Sequence, residues 1–269
     1  PSHPVNTSYS PKPIDKRMYI KTKIAPRYAH LEAFAASMPQ IFEHEGEVIY
    51  RGRNLIKTMT APDGTLANVK RYHQPAGPNR LIYSWGLRES KGSRAFRFPA
   101  ILAAKGIGTP DAIALVEERN SLGLLGYSYL ITVQSPYPHT LYAMGDAQAG
   151  EYETLAEALG HFAAHLHEQE VLHKDFTPGN ILWMHDAEGY HFMLVDINRM
   201  AFGPVSEQVG LNSLCRLWGP KNFIRIIAES YAQARGYDVE PAVQYVMNQR
   251  ARFWSRYGKK HTIKFKLEL

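Results

Sequence analysis

Residues 173–180 have the sequence HKDFTPGN, and this segment and its surroundings decide the predicted fold. It follows residues 154–170, in which apolar side chains recur at the spacing of an amphipathic helix. Two runs of strand-forming residues within 181–195, separated by the turn sequence DAEG, predict a β-hairpin after it. The second run ends at Asp196. The predicted order is therefore helix, polar loop, hairpin and a final aspartate.

This order carries a chemical implication, because an aspartate, an asparagine five residues later, a hairpin and a second aspartate is the arrangement used by kinases. Mg²⁺ prefers oxygen ligands, which the Asp196 carboxylate and the Asn180 amide could supply. An acceptor hydroxyl must be oriented and lose its proton beside a carboxylate such as Asp175. The alternative is that these residues only form turns and cap a strand. Their joint register favours phosphoryl transfer.

The chain before this segment predicts a β-rich lobe. Predicted strands lie at residues 18–24, at 47–60 with a turn at Gly52, and at 65–72, 111–118 and 127–134. Predicted helices lie at residues 28–43, interrupted near Pro39, and at 93–105, where Pro99 should kink the helix or start a new one.

The character of the sequence changes after residues 135–138, where SPYP predicts a linker. Beyond it helical periodicity dominates, with further predicted helices near residues 205–217 and at 220–235 and 240–257. We therefore predict an α+β fold with two lobes. The N-lobe comprises residues 1–134, and the mainly helical C-lobe comprises residues 135–269.

Composition is that of an ordinary globular chain, with 45% hydrophobic and 21% charged residues among 269. The longest apolar stretches, residues 99–104 and 111–116, are far too short to span a bilayer. Cys215 is the only cysteine, which excludes an internal disulfide. We expect a cytoplasmic protein.

Positive charge is concentrated at the C-terminus. Residues 250–269 contain seven basic residues and one acid, Glu268, so this tail accounts for the whole formal net charge of +6. Aromatic residues, among them Trp254 and Tyr257, are interleaved with the charges. One interpretation is a solvated final helix with a basic end. The other is attraction to an anionic partner: a lipid surface, a phosphorylated glycolipid or, as an unlikely option, nucleic acid.

The sequence resembles a known family at HKDFTPGNIL and LVDINR, which are similar to the lipopolysaccharide core kinases that phosphorylate Kdo or heptose sugars. The resemblance extends upstream through residues 50–54, 69–72 and 105–110 and covers roughly residues 46–202. It implies a two-lobed protein-kinase-like fold, shared with aminoglycoside phosphotransferases and RIO kinases. It also implies ATP and Mg²⁺ as cofactors, bound in a cleft around a hinge at residues 132–135 that includes Gln134.

The resemblance implies roles for individual residues. Lys70 corresponds to the lysine that binds the α- and β-phosphates, Asp175 to the catalytic base, and His173 to a histidine that braces the catalytic loop. Asn180 and Asp196 correspond to the metal ligands.

Two departures from the family pattern concern the nucleotide. The turn at residues 50–54 has one glycine, so Arg53 or Asn54 could contact phosphate instead of a Gly-rich loop. The helix in which relatives place an acidic partner for the lysine has Arg97 near the expected position. Glu89 is the nearest upstream acid and becomes the predicted partner of Lys70.

The resemblance implies transfer of phosphate from ATP to a sugar hydroxyl of a lipid A–core precursor, with peripheral contact to the inner face of the inner membrane through the basic tail. The short stretch after Asp196 lacks the platform on which protein kinases hold a peptide. The alternatives are another small-molecule or protein acceptor, and a pseudokinase that binds nucleotide without transfer.

Overall fold

The computed structural model describes residues 18–52, 54–263 and 266–269, and its N-terminal half is built on a six-stranded antiparallel sheet. The strands are β1 (Met18–Ile24), β2 (Glu47–Arg51), β3 (Leu55–Thr60), β4 (Leu66–Tyr72), β5 (Ala112–Asn120) and β6 (Leu125–Val133). Their order across the sheet is β1-β5-β6-β4-β3-β2. The central strand β4 pairs with β3 and β6, so its side chains have fixed neighbours on both sides.

Alternation along the strands gives the sheet two different faces. Val69 and Ile131 point into a core shared with the short helices α1 (Glu32–Ala36) and α2 (Met38–Ile41). On the opposite face Tyr72 and Leu130 pack against a longer helix. Because Lys70 lies one residue from Val69 and two from Tyr72, it must project from this second face.

The helices of this half differ from the prediction in detail. Residues 28–43 form a 3₁₀ turn (Pro26–Leu31) followed by α1 and α2, and the break falls at Ser37 and not at Pro39, which lies in the first turn of α2. Proline is tolerated there because its missing N–H has no partner in a first helical turn. A short helix that we did not predict, α3 (Pro78–Ser84), precedes the long helix α4 (Lys91–Ala104).

Helix α4 remains one helix with Pro99 inside it, so of the two predicted effects of Pro99, a kink or a new helix, the new helix does not occur. The side chain of Ser90 caps its N-terminus by accepting a hydrogen bond from the Ser93 amide at 3.1 Å. Pro99 is buried, which shows that packing of this turn outweighs the loss of one backbone hydrogen bond.

The C-terminal half is mainly helical, with short strands at its start. Its elements are β7 (His139–Thr140), α5 (Glu153–Glu168), β8 (Val171–His173), β9 (Ile181–Asp186), β10 (Gly189–Leu194), β11 (Met200–Phe202), α6 (Glu207–Leu214), α7 (Lys221–Arg235) and α8 (Val239–Gly258). β9 and β10 form the predicted hairpin, with β7 added at its edge. β8 pairs with β11.

Helices α5 and α7 form the centre of the C-terminal core. Their close approach requires Gly160, because a Cβ atom there would lie 2.6 Å from the Ile227 carbonyl oxygen on α7. The buried His167 of α5 also forms a 2.8 Å hydrogen bond with Tyr231 of α7. The loop at residues 173–180 therefore follows a helix, α5, that is packed closely against α7.

These elements confirm the predicted α+β class, with a β-rich N-terminal half and a helical C-terminal half. The division at residue 134 stays a prediction. Phe98 and Leu102 in the second half of α4, and Ile107 just after it, pack into the same core as α5 and α7. Helix α4 thus connects the two halves.

The basic tail is more than a solvated helix end. Arg250 is fully buried and donates hydrogen bonds to the backbone carbonyl oxygens of Leu217, Gly219 and Glu268. The Glu268 carboxylate accepts a 2.9 Å hydrogen bond from the Lys221 amide. The last residues therefore fold back onto α7, and one cation of the tail is structural. Lys264, also part of the predicted tail, lies outside the described residues.

Among residues 18–52, 54–263 and 266–269, every helix is too short or too polar to cross a membrane.

Candidate active site

A cleft of about 560 Å³ lies between the second face of the sheet and the hairpin β9–β10. Strands of the sheet contribute Asn68, Lys70 and Thr132 to its wall. The C-terminal half contributes Asn180 and Asp196. Lys70 and the predicted metal ligands Asn180 and Asp196 thus face one shared space.

Lys70 spans this cleft. Its Nζ lies 2.7 Å from Oδ1 of Asp196, although the two residues are 126 positions apart in the chain. The lysine side chain is 15% exposed, and its Nζ also lies 5.3 Å from the centre of the Tyr72 ring. A largely desolvated ammonium group of this kind interacts with charge more strongly than a surface lysine does.

Asp196 has an unusual backbone conformation. Its φ of 52° and ψ of 42° lie in the left-handed region, which costs a residue with a side chain roughly 1 kcal/mol or more. Its Oδ1 also accepts a 2.6 Å hydrogen bond from Nδ2 of Asn198. Burial alone would raise the pKa of Asp196, but the charge and hydrogen bond of Lys70 outweigh it and lower the pKa. Asp196 is therefore held as an anion in a strained but fixed position.

The hairpin register explains how Asn180 reaches Asp196. Ile181 pairs with Leu194, and the Val195 amide donates to the Asn180 carbonyl at 3.0 Å. Asn180 also donates from Nδ2 to the Asp175 carbonyl at 2.9 Å, which orients its side chain. The hairpin thus brings both ends of the predicted motif to the floor of the cleft.

His173 connects the two aspartate segments. Its Nδ1 accepts from the Asp175 amide at 3.1 Å, so the neutral ring carries its proton on Nε2, which donates to the Val195 carbonyl at 3.1 Å. Burial lowers the pKa of His173 and keeps the ring neutral. These contacts are those expected of the bracing role that the sequence predicts.

Asp175, whose backbone carbonyl accepts from Asn180, is not among the side chains that line the cleft. Its carboxylate is flanked by two cations: Nη1 of Arg216 at 3.1 Å from Oδ1, and Nη1 of Arg199 at 3.9 Å from Oδ2. The Asp175 side chain is 29% exposed. The carboxylate is partly open to solvent, and its charge is balanced by the two arginines.

The oxygen atoms of Asn180 and Asp196 fit the donor set of Mg²⁺. Because Nδ2 of Asn180 is engaged by Asp175, its Oδ1 is the atom that could bind a metal. In the described part of the chain, no group of three or more His, Cys, Asp or Glu side chains is placed to hold a metal ion. A site of two protein oxygens completed by phosphates and water is the usual form for nucleotide-bound Mg²⁺.

Two of the remaining predicted nucleotide contacts, Gln134 and Asn54, line the cleft. Gln134 lines it, and its Oε1 accepts a 2.8 Å hydrogen bond from Nδ2 of Asn68. Tyr50 lines it from strand β2, and Asn54 lines it from the β2–β3 turn. Arg53, the other predicted phosphate contact in this turn, lies outside the described residues.

The predicted pairing of Glu89 with Lys70 is wrong for this structure. Glu89 instead binds Arg97 through two hydrogen bonds of 3.2 and 2.9 Å. The physical reason is position: Glu89 precedes α4 by two residues, and α4 itself, KGSRAFRFPAILAA, contains no acid. It presents Ala95 and Pro99 to the cleft. Lys70 consequently pairs with Asp196.

Two features of the site escaped sequence reasoning. Arg216 lies in an unremarkable stretch, CRLWG, and nothing local marks it as a partner of Asp175. Tyr142 lines the cleft from a 3₁₀ turn (Leu141–Met144), with its hydroxyl 2.6 Å from where a Cβ on Gly179 would lie. The absence of a side chain at Gly179 lets this ring sit against the loop, a role that only the fold reveals.

Comparison with solved structures finds WaaP in complex with acyl carrier protein, at a TM-score of 0.58 and 15% identity, covering 89% of this chain and 98% of that one. The Rio2 kinase from Chaetomium thermophilum, in an ADP/Mg²⁺-phosphoaspartate complex, has a TM-score of 0.44 and 12% identity, covering 87% of this chain and 78% of that one. The amicoumacin kinase hAmiN, in complex with AMP-PNP, Ca²⁺ and Ami, has a TM-score of 0.47 and 10% identity, covering 83% of this chain and 74% of that one. The similarity to WaaP confirms the predicted protein-kinase-like fold.

A search of curated proteins returns no match. A family model for the lipopolysaccharide kinase (Kdo/WaaP) family matches residues 46–204, which is more than half of the 269 residues. The matched span includes Lys70, Asp175 and Asp196, and it agrees with the resemblance found in the sequence. The chain belongs to the lipopolysaccharide kinase (Kdo/WaaP) family.

Proposed function

We propose that this protein transfers the γ-phosphoryl group of ATP to a sugar hydroxyl, of Kdo or heptose, on a lipid A–core precursor. The observation that supports it best is the contact between Lys70 and Asp196, 2.7 Å apart across the cleft. A cation for phosphate and an anion for metal are thereby held together where a nucleotide would bind.

The roles follow from the contacts of each group. Asn180 and Asp196 would hold Mg²⁺, which neutralises charge on the phosphates when bound. When nucleotide binds, the Lys70 ammonium would leave Asp196 and contact the phosphate oxygens as a point charge. Asp175 would orient the acceptor hydroxyl and take its proton late in the transfer.

A compact acceptor fits the segment after Asp196. It consists of a 3₁₀ turn (Ile197–Arg199), strand β11 and a short loop before α6 begins at Glu207. One edge of β11 is hydrogen-bonded to β8, so that edge is not available to pair with a peptide. A sugar needs only the space beside Asp175.

We propose further that the protein works at the inner face of the inner membrane, where the exposed cations of its C-terminal region would meet anionic lipid. Arg252, Arg256, Lys259 and Lys260 are exposed on α8 and just after it. Each basic residue near such a surface adds about 1 kcal/mol of attraction. Deleting the tail would be a poor test, because it would remove the carbonyl oxygen that the buried Arg250 binds.

The experiment for the membrane is therefore a substitution. Changing Arg252, Arg256, Lys259 and Lys260 to Gln should weaken sedimentation with anionic vesicles at low salt, and the difference should shrink at high salt. Neutral vesicles are the control. Equal sedimentation of both proteins with anionic vesicles would contradict the membrane proposal.

The experiment for the reaction is incubation with ATP, Mg²⁺ and a panel of Kdo- and heptose-bearing lipid A precursors, followed by product mass. We expect a mass gain of one phosphoryl group on one acceptor and no useful transfer to generic peptides. Peptide phosphorylation without any glycolipid product would overturn the proposal.

One observation favours a second candidate, nucleotide binding without transfer: α4 offers no acid to Lys70. If Lys70 stays on Asp196 when nucleotide binds, positioning of the phosphates would suffer. ATP turnover measured with and without Mg²⁺ separates the two candidates, since a pseudokinase would show none in either case.

A further inference from the structure

Aromatic side chains form a continuous row beside Asp175, which we call the aromatic row: Tyr142, Trp218, Phe253, Trp254 and Tyr257. Ring centres are 4.9 Å apart for Tyr142 and Trp218, and 5.8 Å for Trp218 and Trp254. On α8, Trp254 lies 5.3 Å from Tyr257 and 5.1 Å from Phe253. The row therefore runs from the cleft to the C-terminal end of α8.

The ends of the aromatic row are open to solvent. Tyr142 is 57% exposed and Tyr257 is 40% exposed, whereas Trp254 in the middle is buried. Adjacent large rings that remain exposed next to a cleft are typical of ligand-binding surfaces. Burial raises the pKa of Tyr142, and the nearby Tyr50, Tyr257 and Asp175 add to the effect.

Arg216 joins the aromatic row to Asp175. Its guanidinium carbon lies 5.7 Å from the centre of the Phe253 ring, and its Nη1 lies 3.1 Å from Asp175. The contact with Asp175 uses Nη1, and 39% of the side chain is exposed. A planar guanidinium carries five N–H donors, so its remaining edge can bind a carboxylate or phosphate through two parallel hydrogen bonds.

Charge favours an anionic ligand at this place. Asp175 contributes one negative charge, and Arg199 and Arg216 contribute two positive charges within 4 Å of it. A cationic acceptor would be repelled by the surplus, and a neutral one would gain nothing from it. The acid group of an anionic acceptor would form an ion pair with one of these arginines. The Asp175 carboxylate would then be free to bind the acceptor hydroxyl.

We propose that Arg216 and the aromatic row form the acceptor subsite, which takes a sugar carrying a carboxylate or phosphate close to the hydroxyl that is phosphorylated. This inference rests on the proposed function. Arg216 binds the acid group, and the apolar face of a sugar ring lies on Tyr142 and Trp218. Arg216 is thus a specificity residue, and it makes this kinase select acidic acceptors.

The kinetic test uses Arg216→Ala and Arg216→Lys, with Arg225→Ala as the control. Arg225 lies on α7 and makes only a surface ion pair with Glu229. Loss of a charge-assisted contact should raise the KM for a Kdo-bearing lipid A precursor by about 10- to 100-fold in Arg216→Ala. Arg216→Lys keeps the charge without the fork and should fall between. The KM for ATP should not change in any variant.

The source of the acid group is identified by two modified acceptors: one with the Kdo carboxylate reduced to an alcohol, and one with its phosphates removed. Whichever modification raises the wild-type KM to that of Arg216→Ala marks the group that Arg216 binds. If neither modification matters, or if Arg216→Ala lowers only kcat with an unchanged acceptor KM, the subsite assignment is overturned while the kinase assignment stands.

A binding experiment separates this inference from the proposed function. A free Kdo disaccharide is titrated without nucleotide, and tryptophan fluorescence is followed in wild type, Arg216→Ala and Trp218→Phe. We expect saturable quenching in wild type, weaker binding in Arg216→Ala and loss of the signal in Trp218→Phe. Such binding without transfer to any glycolipid would defeat the proposed function and keep the subsite. No binding by wild type, or equal binding by Arg216→Ala, would overturn the subsite.

Discussion

The two aspartates of the site, Asp196 and Asp175, have opposite surroundings. Asp196 lies in the cleft, is fixed by a left-handed backbone and pairs with one lysine from the other half of the molecule. Asp175 lies outside the cleft lining and is balanced by two arginines, Arg199 and Arg216, from its own half. Under the proposed function, Asp196 would serve the nucleotide and Asp175 the acceptor.

Because their surroundings differ, Asp196 and Asp175 can be substituted with separate effects. Contacts of Asp196 cross between the halves, so its loss should disturb what the cleft holds. Contacts of Asp175 stay within the C-terminal half, so its loss should affect transfer and leave the cleft intact. His173 is the physical connection between them, since its ring binds the backbone beside both aspartates.

The largest effect is expected at Asp175. Asp175→Ala should lower kcat by about 10²- to 10⁴-fold, because proton transfer to a positioned carboxylate contributes that much. Nucleotide affinity, measured by equilibrium binding, should be unchanged. Asp186→Ala, at the exposed turn of the β9–β10 hairpin, is the matched control. Near-normal turnover in Asp175→Ala would end its assignment as the base.

Acidification should lower the stability of the fold through two buried histidines, His167 and His173. Burial lowers the pKa of His173, and it lowers the pKa of His167 to about 4 from 6.5. Between pH 6.5 and about pH 4 the unfolded chain binds more protons at His167 than the folded protein does. The free energy of unfolding therefore falls as the pH falls below 6.5. His167 alone should account for roughly 3 kcal/mol by pH 4.

The measurement is denaturant unfolding between pH 7 and pH 4 for wild type, His167→Gln and His173→Gln. Each variant should lose less stability on acidification than wild type does. His161→Gln, an exposed position on the same helix as His167, should follow wild type. Identical acid profiles for all four proteins would show that neither buried histidine controls the stability.

A smaller effect is expected on the nucleotide side. Asp196→Asn should weaken Mg²⁺-dependent ATP binding by about 10- to 100-fold, since a charged contact is lost. Asparagine tolerates the left-handed conformation, so the backbone should keep its shape. Lys70→Met should weaken ATP binding similarly, and Lys70→Arg should restore it only in part because of its different geometry. Unaltered Mg²⁺-dependent binding in Asp196→Asn would erase the distinction between the two aspartates.

The smallest effect is expected at Glu89. Because Glu89 pairs with the half-exposed Arg97, Glu89→Ala should change the free energy of unfolding by less than about 1 kcal/mol. ATP affinity and turnover should be those of wild type. A marked loss of ATP binding in this variant would show that Glu89 moves to Lys70 when nucleotide is present.

The sequence by itself determined the parts that depend on local pattern. Alternation in β4 places Lys70 on the face opposite Val69, and turn residues with strand runs specify the hairpin that brings Asn180 beside Asp196. The helix before the loop follows from apolar periodicity. These features need only neighbouring residues, so the helix, loop and hairpin around residues 173–196 and the fold class could be predicted without coordinates.

Tertiary structure decided the pairings between distant residues. Arg216 reaches Asp175 across 41 positions, and Arg250, counted in the sequence as part of a basic surface, is buried against backbone carbonyl oxygens. The aromatic row draws on two separate parts of the chain, the turn at Tyr142 and the region from Trp218 to α8. No local pattern distinguishes one arginine or tyrosine from another. Their roles depend on how α6, α7 and α8 pack, because only that packing sets which charges and rings come within contact distance.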